Sequence, residues 1–186
     1  VRSSAASDVY KRQVPKPLDI VFKTAYTVYY NYLTGLENIM FQIIVDSAAN
    51  IPAELVKKYK IKVLSFINFV NGKEVTCFDP ELSPEEERQK GHEYYDAVRQ
   101  GADVKTGLIS TAIFEDAFRS AMENNEDVLY FSLSKNISGN FNSARLAAED
   151  LMHDPVNGRK IRLIDSLNAS LAQGILAIYA LSLIHI

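Results

Sequence analysis

The chain has 186 residues, a formal net charge of −3, 47% hydrophobic residues and one cysteine. That length and apolar content suffice for a real core in one domain. The mild acidity, without any basic stripe, speaks against nucleic acid as a partner, and a lone Cys77 rules out an internal disulfide framework and suits a reducing cytoplasm.

The two ends read as foreign to the fold. The codons GAT GTG TAT AAG AGA CAG encode Asp8-Val9-Tyr10-Lys11-Arg12-Gln13, and their reverse complement encodes Leu181-Ser182-Leu183-Ile184-His185-Ile186. One short inverted DNA element, like the transposon end used to prepare sequencing libraries, accounts for both. Ser3-Ser4-Ala5-Ala6-Ser7 fits the primer tail that precedes such ends. Residues 1–13 and 181–186 are therefore set apart as adapter-derived. Residues 14–39 hold prolines and tyrosines without periodicity and read as upstream DNA translated in frame; a genuine N-terminal extension is the alternative. Lys23 interrupts this segment, which is too short and too charged for a span of ~20 apolar residues. It also lacks the order of a secretory leader. The domain is expected over 40–180, truncated at its C-terminal side.

From Met40 onward strands and helices alternate. Phe41-Gln42-Ile43-Ile44-Val45-Asp46-Ser47 is a short apolar strand ending in Asp-Ser. Pro52 opens a helix to 59 as its first residue, and a strand covers 61–66. Asn71-Gly72 between 66–70 and 73–77 signals a type I′ hairpin. Cys77 sits in that second run as a half-buried structural thiol. Ser83-Pro84-Glu85-Glu86 is a capping box that starts a helix to about 100, stopped by Gly101. Asp103-Val104-Lys105-Thr106-Gly107-Leu108-Ile109-Ser110 is a polar loop opening a helix over 111–124, with Phe114 and Phe118 on its apolar face. The apolar run 128–133 is a buried strand, followed by Ser134-Lys135-Asn136-Ile137-Ser138-Gly139-Asn140 and an alanine-rich helix over 140–153. A strand at 161–164 repeats the Asp-Ser ending at Asp165-Ser166. The last helix, 167–180, is apolar nearly all round, as a helix buried between two layers would be. The class is α/β: a mostly parallel sheet flanked by helices, with the hairpin as an antiparallel piece at an edge.

Strand, Ser/Gly/Asn loop, helix is a layout that aims backbone N–H groups and hydroxyls at an anion, and ligands of open α/β sheets sit at such strand ends. Helix and turn capping is the plain alternative. No metal-ligand spacing occurs, because His92 and His153 fall on different expected helices and His185 in the terminal segment.

In order and spacing, the Val45-Asp46-Ser47 strand, the Lys105-Thr106 loop, the Ser134 to Ala144 loop and the Ile164-Asp165-Ser166 strand resemble the DegV family of bacterial fatty-acid-binding proteins. The resemblance implies a long-chain fatty acid held between this α/β domain and a second, C-terminal domain that is missing here. It implies no catalytic nucleophile and no cofactor. A separate fatty acid kinase subunit would convert the presented carboxylate to acyl phosphate, as part of phospholipid metabolism in the cytoplasm. Transient contact with a membrane surface is compatible with that role. By the family's motif, Thr106 and Ser138 contact the carboxylate, with Gly107, Gly139, Asn140, Asp46 and Ser47 as supporting residues.

Departures from the family pattern are concentrated at this site. Gly107 stands where a serine follows the threonine, Ser-Gly-Thr-Tyr is Ser138-Gly139-Asn140-Phe141, and Asp-Ser-Thr is Asp46-Ser47-Ala48. Helix capping is the competing role for Asp46 and Asp165. Two rival functions stand beside lipid binding. One is a domain for another small anionic or polyol ligand, like the dihydroxyacetone kinase binding subunit, which needs a histidine these loops lack. The other is a serine hydrolase using Ser134 or Ser138, although the G-x-S-x-G elbow is absent.

Overall fold

The computed structural model describes residues 40–153 and 156–184. In chain order these form β1 (Met40–Asp46), a 3-10 turn (Ser47–Ala49), α1 (Ala53–Tyr59), β2 (Lys62–Leu64), β3 (Ile67–Val70) and β4 (Lys73–Thr76). There follow α2 (Pro84–Arg99), β5 (Val104–Gly107), α3 (Thr111–Glu123), β6 (Glu126–Ser132), α4 (Asn140–His153), a second 3-10 turn (Val156–Gly158), β7 (Ile161–Asp165) and α5 (Leu171–Ile184). The α/β class forms as expected, with a parallel sheet in the order β2-β1-β6-β7.

The two central strands are apolar on both faces, because helices cover both. Ile44, Val128 and Tyr130 face one core together with Phe114, Phe118 and Met122 of α3 and Ala144, Ala147 and Leu151 of α4. Ile43, Val45, Leu129 and Phe131 face the other, with Val56 of α1 and Ala177 and Ala180 of α5. Phe114 meets Tyr130 edge-on, ring centroids 5.1 Å apart, a preferred aromatic geometry. Alanines on the inner face of α4 let it approach the sheet closely.

Local signals in the sequence do what their chemistry dictates. Ser83 Oγ accepts from Glu86 N while Glu86 Oε2 accepts from Ser83 N, closing the capping box on α2. Asn71 and Gly72 both take positive φ, 51° and 75°, as a type I′ turn requires, and β3 and β4 pair antiparallel across it.

Tertiary structure alters several expectations. The hairpin is not an edge of the main sheet: β4, β3 and β5 form a separate three-stranded sheet. Residues 104–107, expected as loop, are the strand β5, antiparallel to β3. Val-Lys-Thr-Gly has no apolar alternation to reveal it, because its partner strand supplies the reason to be extended. Pro52 precedes α1 as its cap position instead of being its first residue. The last helix begins at Leu171, not 167. Asp165 Oδ1 accepts from Leu167 N, Ser166 Oγ accepts from Asn168 N, and Leu167 and Ser170 adopt left-handed backbone. Short polar side chains bonding their own backbone compete with helix.

Nor is α5 sandwiched between two layers. Gln173, Ala177, Ala180 and Leu181 are buried, whereas Leu171, Ile175 and Tyr179 are 54%, 57% and 41% exposed. The helix continues past Ala180 to Ile184, and Leu181 joins the core because it falls in phase with Ala177 and Ala180. Helical phase buries a leucine whatever the origin of its codon.

Candidate ligand cleft

A cleft of about 1040 Å³ opens between the C-terminal ends of β1 and β6, the three-stranded sheet and α2. The parallel strands end here in polar turns, and the antiparallel sheet stands opposite with Asn68, Val70, Val75, Thr76, Thr106 and Gly107. Phe66, Val70, Val75, Phe78, Leu82 and Tyr94 line it, together with Ser47, Thr106, Gly107, Ser138 and Gly139. Five of the seven residues expected at the site therefore share one cavity, although they come from three separate stretches of chain.

Each is placed by a specific local structure. Thr106 lies exposed on β5, opposite Asn68 of β3; it is a strand residue, not a loop residue. Ser138 lies in the turn after β6, where Ser138 N and Ile137 N donate to Ser134 O. The Ser138 hydroxyl accepts from Asn140 N at 3.3 Å, so it caps the start of α4 and keeps its own proton for a ligand. Gly139 O accepts from Asn142 N and Ser143 N. A Cβ on Gly139 would come within 3.1 Å of Leu108 Cδ1, because the β6–α4 turn lies against the end of β5. Ser47 Oγ accepts from Phe66 N at 3.0 Å and so ties the end of β1 to the start of the wall.

The remaining two expected residues, Asn140 and Asp46, do not line the cleft. Asn140 is fully buried at the first position of α4. Its Oδ1 accepts from Ile109 N at 3.1 Å, which locks the segment after Thr106 to the segment carrying Ser138. Its Nδ2 is buried with no partner among the described residues. The structure makes Asn140 a strut that sets the spacing of the two segments, with one donor left over.

Asp46 is also absent from the cleft lining. It lies in the core, 0% exposed, and both its oxygens are taken by the protein. Oδ1 accepts from Ala48 N (3.2 Å) and Gln173 Nε2 (3.1 Å); Oδ2 accepts from Leu133 N (2.9 Å) and Tyr130 OH (3.0 Å). A carboxylate at the end of a central strand finds these donors because β6 ends beside it and α5 crosses beneath. Burial pushes its pKa up, and the hydrogen bonds from Leu133, Gln173, Tyr130 and Ala48 oppose that rise. Burial likewise lifts the Tyr130 phenol well above its usual value, so it serves as a neutral donor. Asp165 also acts on backbone, accepting from Lys135 N and Leu167 N. Both aspartates organise strand ends, in line with the capping alternative.

The sequence reading overlooked Gln173 and Asn68. Gln173 Nε2 donates to Asp46 and to Phe131 O at 3.0 Å, joining α5 to β1 and β6. Its signal was available as a lone polar residue in an apolar helix. Cys77 is half-buried on the cleft wall; its thiol donates to Phe66 O at 3.2 Å, and burial pushes its pKa up. Among the described residues no histidine lines the cleft. Ser134 is buried and its Oγ accepts from Asn136 N, as a turn residue. Among the described residues no cluster of metal-ligating side chains occurs, and no helix is long and apolar enough to cross a membrane.

A family described as "uncharacterised protein, DegV family" matches residues 40–185. A DegV domain-containing protein of Clostridium perfringens is 31% identical over 141 residues, covering 75% of this chain and 46% of that protein. A Thermus thermophilus DegV family protein, whose structure was reported for its fatty acid binding, superposes with a TM-score of 0.62 at 28% identity, over 79% of this chain and 48% of its own. A Thermotoga maritima protein reported to have a fatty acid binding function superposes with a TM-score of 0.64 at 28% identity, over 79% and 50%. The chain thus spans about half the length of the relatives it matches. By its sequence over nearly all of the described residues, and by the strand order and turns that build the cleft, this chain belongs to the DegV family.

Proposed function

We propose that the protein binds a long-chain fatty acid in this cleft, with its carboxylate held by the Thr106 and Ser138 hydroxyls. The observation that carries the reading is the meeting of those two hydroxyls in one cavity that also holds aliphatic and aromatic side chains, with Asp79, Glu87, Lys90 and Glu93 among its other lining residues. A carboxylate is satisfied by several directed donors. Ser138 Oγ–H, Thr106 Oγ–H and the Gly139 N–H, which has no partner among the described residues, offer them. The apolar wall contributes about 0.8 kcal/mol for each methylene buried, so chain burial supplies most of the affinity and the hydroxyls supply orientation. The fatty acid binding reported for the Thermus and Thermotoga relatives supports the same reading.

A finer reading follows from the family resemblance. The protein is a lipid-binding subunit without a nucleophile of its own, and it presents the carboxylate to a separate cytoplasmic fatty acid kinase that forms acyl phosphate. A second domain closes the cleft. Among the described residues Ser138 has no histidine beside it in the cleft lining to act as the usual base of a serine hydrolase.

Lipid extraction and mass spectrometry of the purified full-length protein test the binding. The expected result is a co-purified long-chain acid that exchanges with added palmitate. Protein free of acyl chains that also fails to take up palmitate would overturn the assignment. Adding ATP and the kinase should convert the bound acid to acyl phosphate only when the binding protein is present.

A further inference from the structure

We propose that Asn68 is a further head-group residue of the cleft, acting with its cross-strand neighbour Thr106. This rests on the fatty-acid reading of the cleft and extends it to a residue outside the loops that define the family motif.

The strand β3 presents alternate residues to the cleft: Phe66, Asn68 and Val70 line it, while Ile67 and Phe69 do not. Asn68 is thus the one amide in an otherwise apolar row. Its opposite residues are Val75 on β4 and Thr106 on β5, and both also line the cleft. Directly opposed residues of an antiparallel pair hold their Cβ atoms about 4.5–5.5 Å apart. One carboxylate group can therefore bridge the Asn68 amide and the Thr106 hydroxyl. Valine or isoleucine would suit a strand at this position better than asparagine.

The amide is also unsatisfied. Asn68 Oδ1 is buried with no partner among the described residues. Nδ2 makes no hydrogen bond among the described residues either and, unlike Oδ1, is not buried, so it is the atom free to donate to an anion. With Thr106 from the wall and Ser138 from the opposite turn, the amide completes donors on two sides of the head group. Asn68 also sits away from the capping interactions that give Ser138 a second role, so its substitution separates binding from folding more cleanly.

The test compares full-length wild type with Asn68→Leu and Asn68→Asp for binding of palmitate and methyl palmitate, alongside thermal melting. Asn68→Leu should weaken palmitate by about 10- to 100-fold, the loss of a hydrogen bond to a charged group, and methyl palmitate by less than about 3-fold. Asn68→Asp should weaken palmitate further at pH 8, where it places a carboxylate beside the ligand's own. Variants that bind palmitate like wild type, or that lose acid and ester equally, overturn the role of Asn68 while leaving the lipid reading intact. Wild-type protein that binds no palmitate overturns the lipid reading itself.

Discussion

Gly174 and Gly91 both lie inside helices, and replacing each by alanine should move stability in opposite directions. A Cβ on Gly174 would sit 2.7 Å from Ala49 O and 2.9 Å from Ile51 Cγ1. The first is backbone in a tight 3-10 turn and cannot swing away, so α5 itself must lift by several tenths of an ångström. Overpacking of this kind costs about 1–3 kcal/mol, and the better helix propensity of alanine returns about 1 kcal/mol. The neighbouring Gln173 raises the cost. Its bonds to Asp46 and Phe131 O depend on α5 staying where it is, and a hydrogen bond to a charged group is worth about 1.5–3 kcal/mol. The net loss should be about 0–2 kcal/mol from the contact alone, and up to about 5 kcal/mol if Gln173 is displaced. A Cβ on Gly91, in the middle of α2, meets nothing within 4 Å, so Gly91→Ala should gain about 0.5–1 kcal/mol. Equilibrium urea unfolding of both variants, at an unchanged slope, reads the two values directly. A Gly174→Ala variant that gains about 1 kcal/mol, as Gly91→Ala does, would refute the docking of α5 on the 3-10 turn.

Three other outcomes can be checked. Ser138→Ala should lose about 1.5–3 kcal/mol of fatty-acid binding and about 1 kcal/mol of stability as a lost cap, whereas Thr106→Ala, exposed on a strand, should lose comparable affinity with a stability change within about 0.5 kcal/mol; unchanged affinity with lowered melting temperature would make both purely structural. Burial raises the Asp46 pKa above its unfolded value, so the folded state holds that proton more tightly, and this contribution is fully present below the unfolded value of 3.8 and lost as pH rises through the folded one. Wild-type stability should accordingly fall relative to Asp46→Asn as pH rises above 3.8, whereas a difference that rises with pH would mean that the four donors, not burial, govern the carboxyl. The exposed Leu171, Ile175 and Tyr179 should make the 186-residue chain bind hydrophobic dyes and self-associate with concentration; Leu171→Lys with Ile175→Glu should suppress both, and a monomer that ignores the dye without those changes would contradict an open apolar face.

The amino-acid sequence by itself determined what depends on neighbours along the chain. The capping box at Ser83, the Asn71-Gly72 turn, the both-faces-apolar strands β1 and β6 and the alanine face of α4 all follow from periods and cap chemistry within a few residues. These elements, together with the strand-loop-helix order, also carried the family resemblance and brought Ser138 and Thr106 forward as site residues. Tertiary structure alone decided what depends on residues far apart in sequence. Val104 to Gly107 is a strand because β3 offers it a ladder, and no pattern within four residues can announce that. Asp46 became a buried hub because Tyr130, Leu133 and Gln173 converge on it from β6 and α5. Asn140 braces Ile109, and antiparallel register sets Asn68 opposite Thr106. Local propensity chooses the elements, but a cleft is made where elements meet. The residues that face into it are selected by register and packing, which a one-dimensional pattern does not contain.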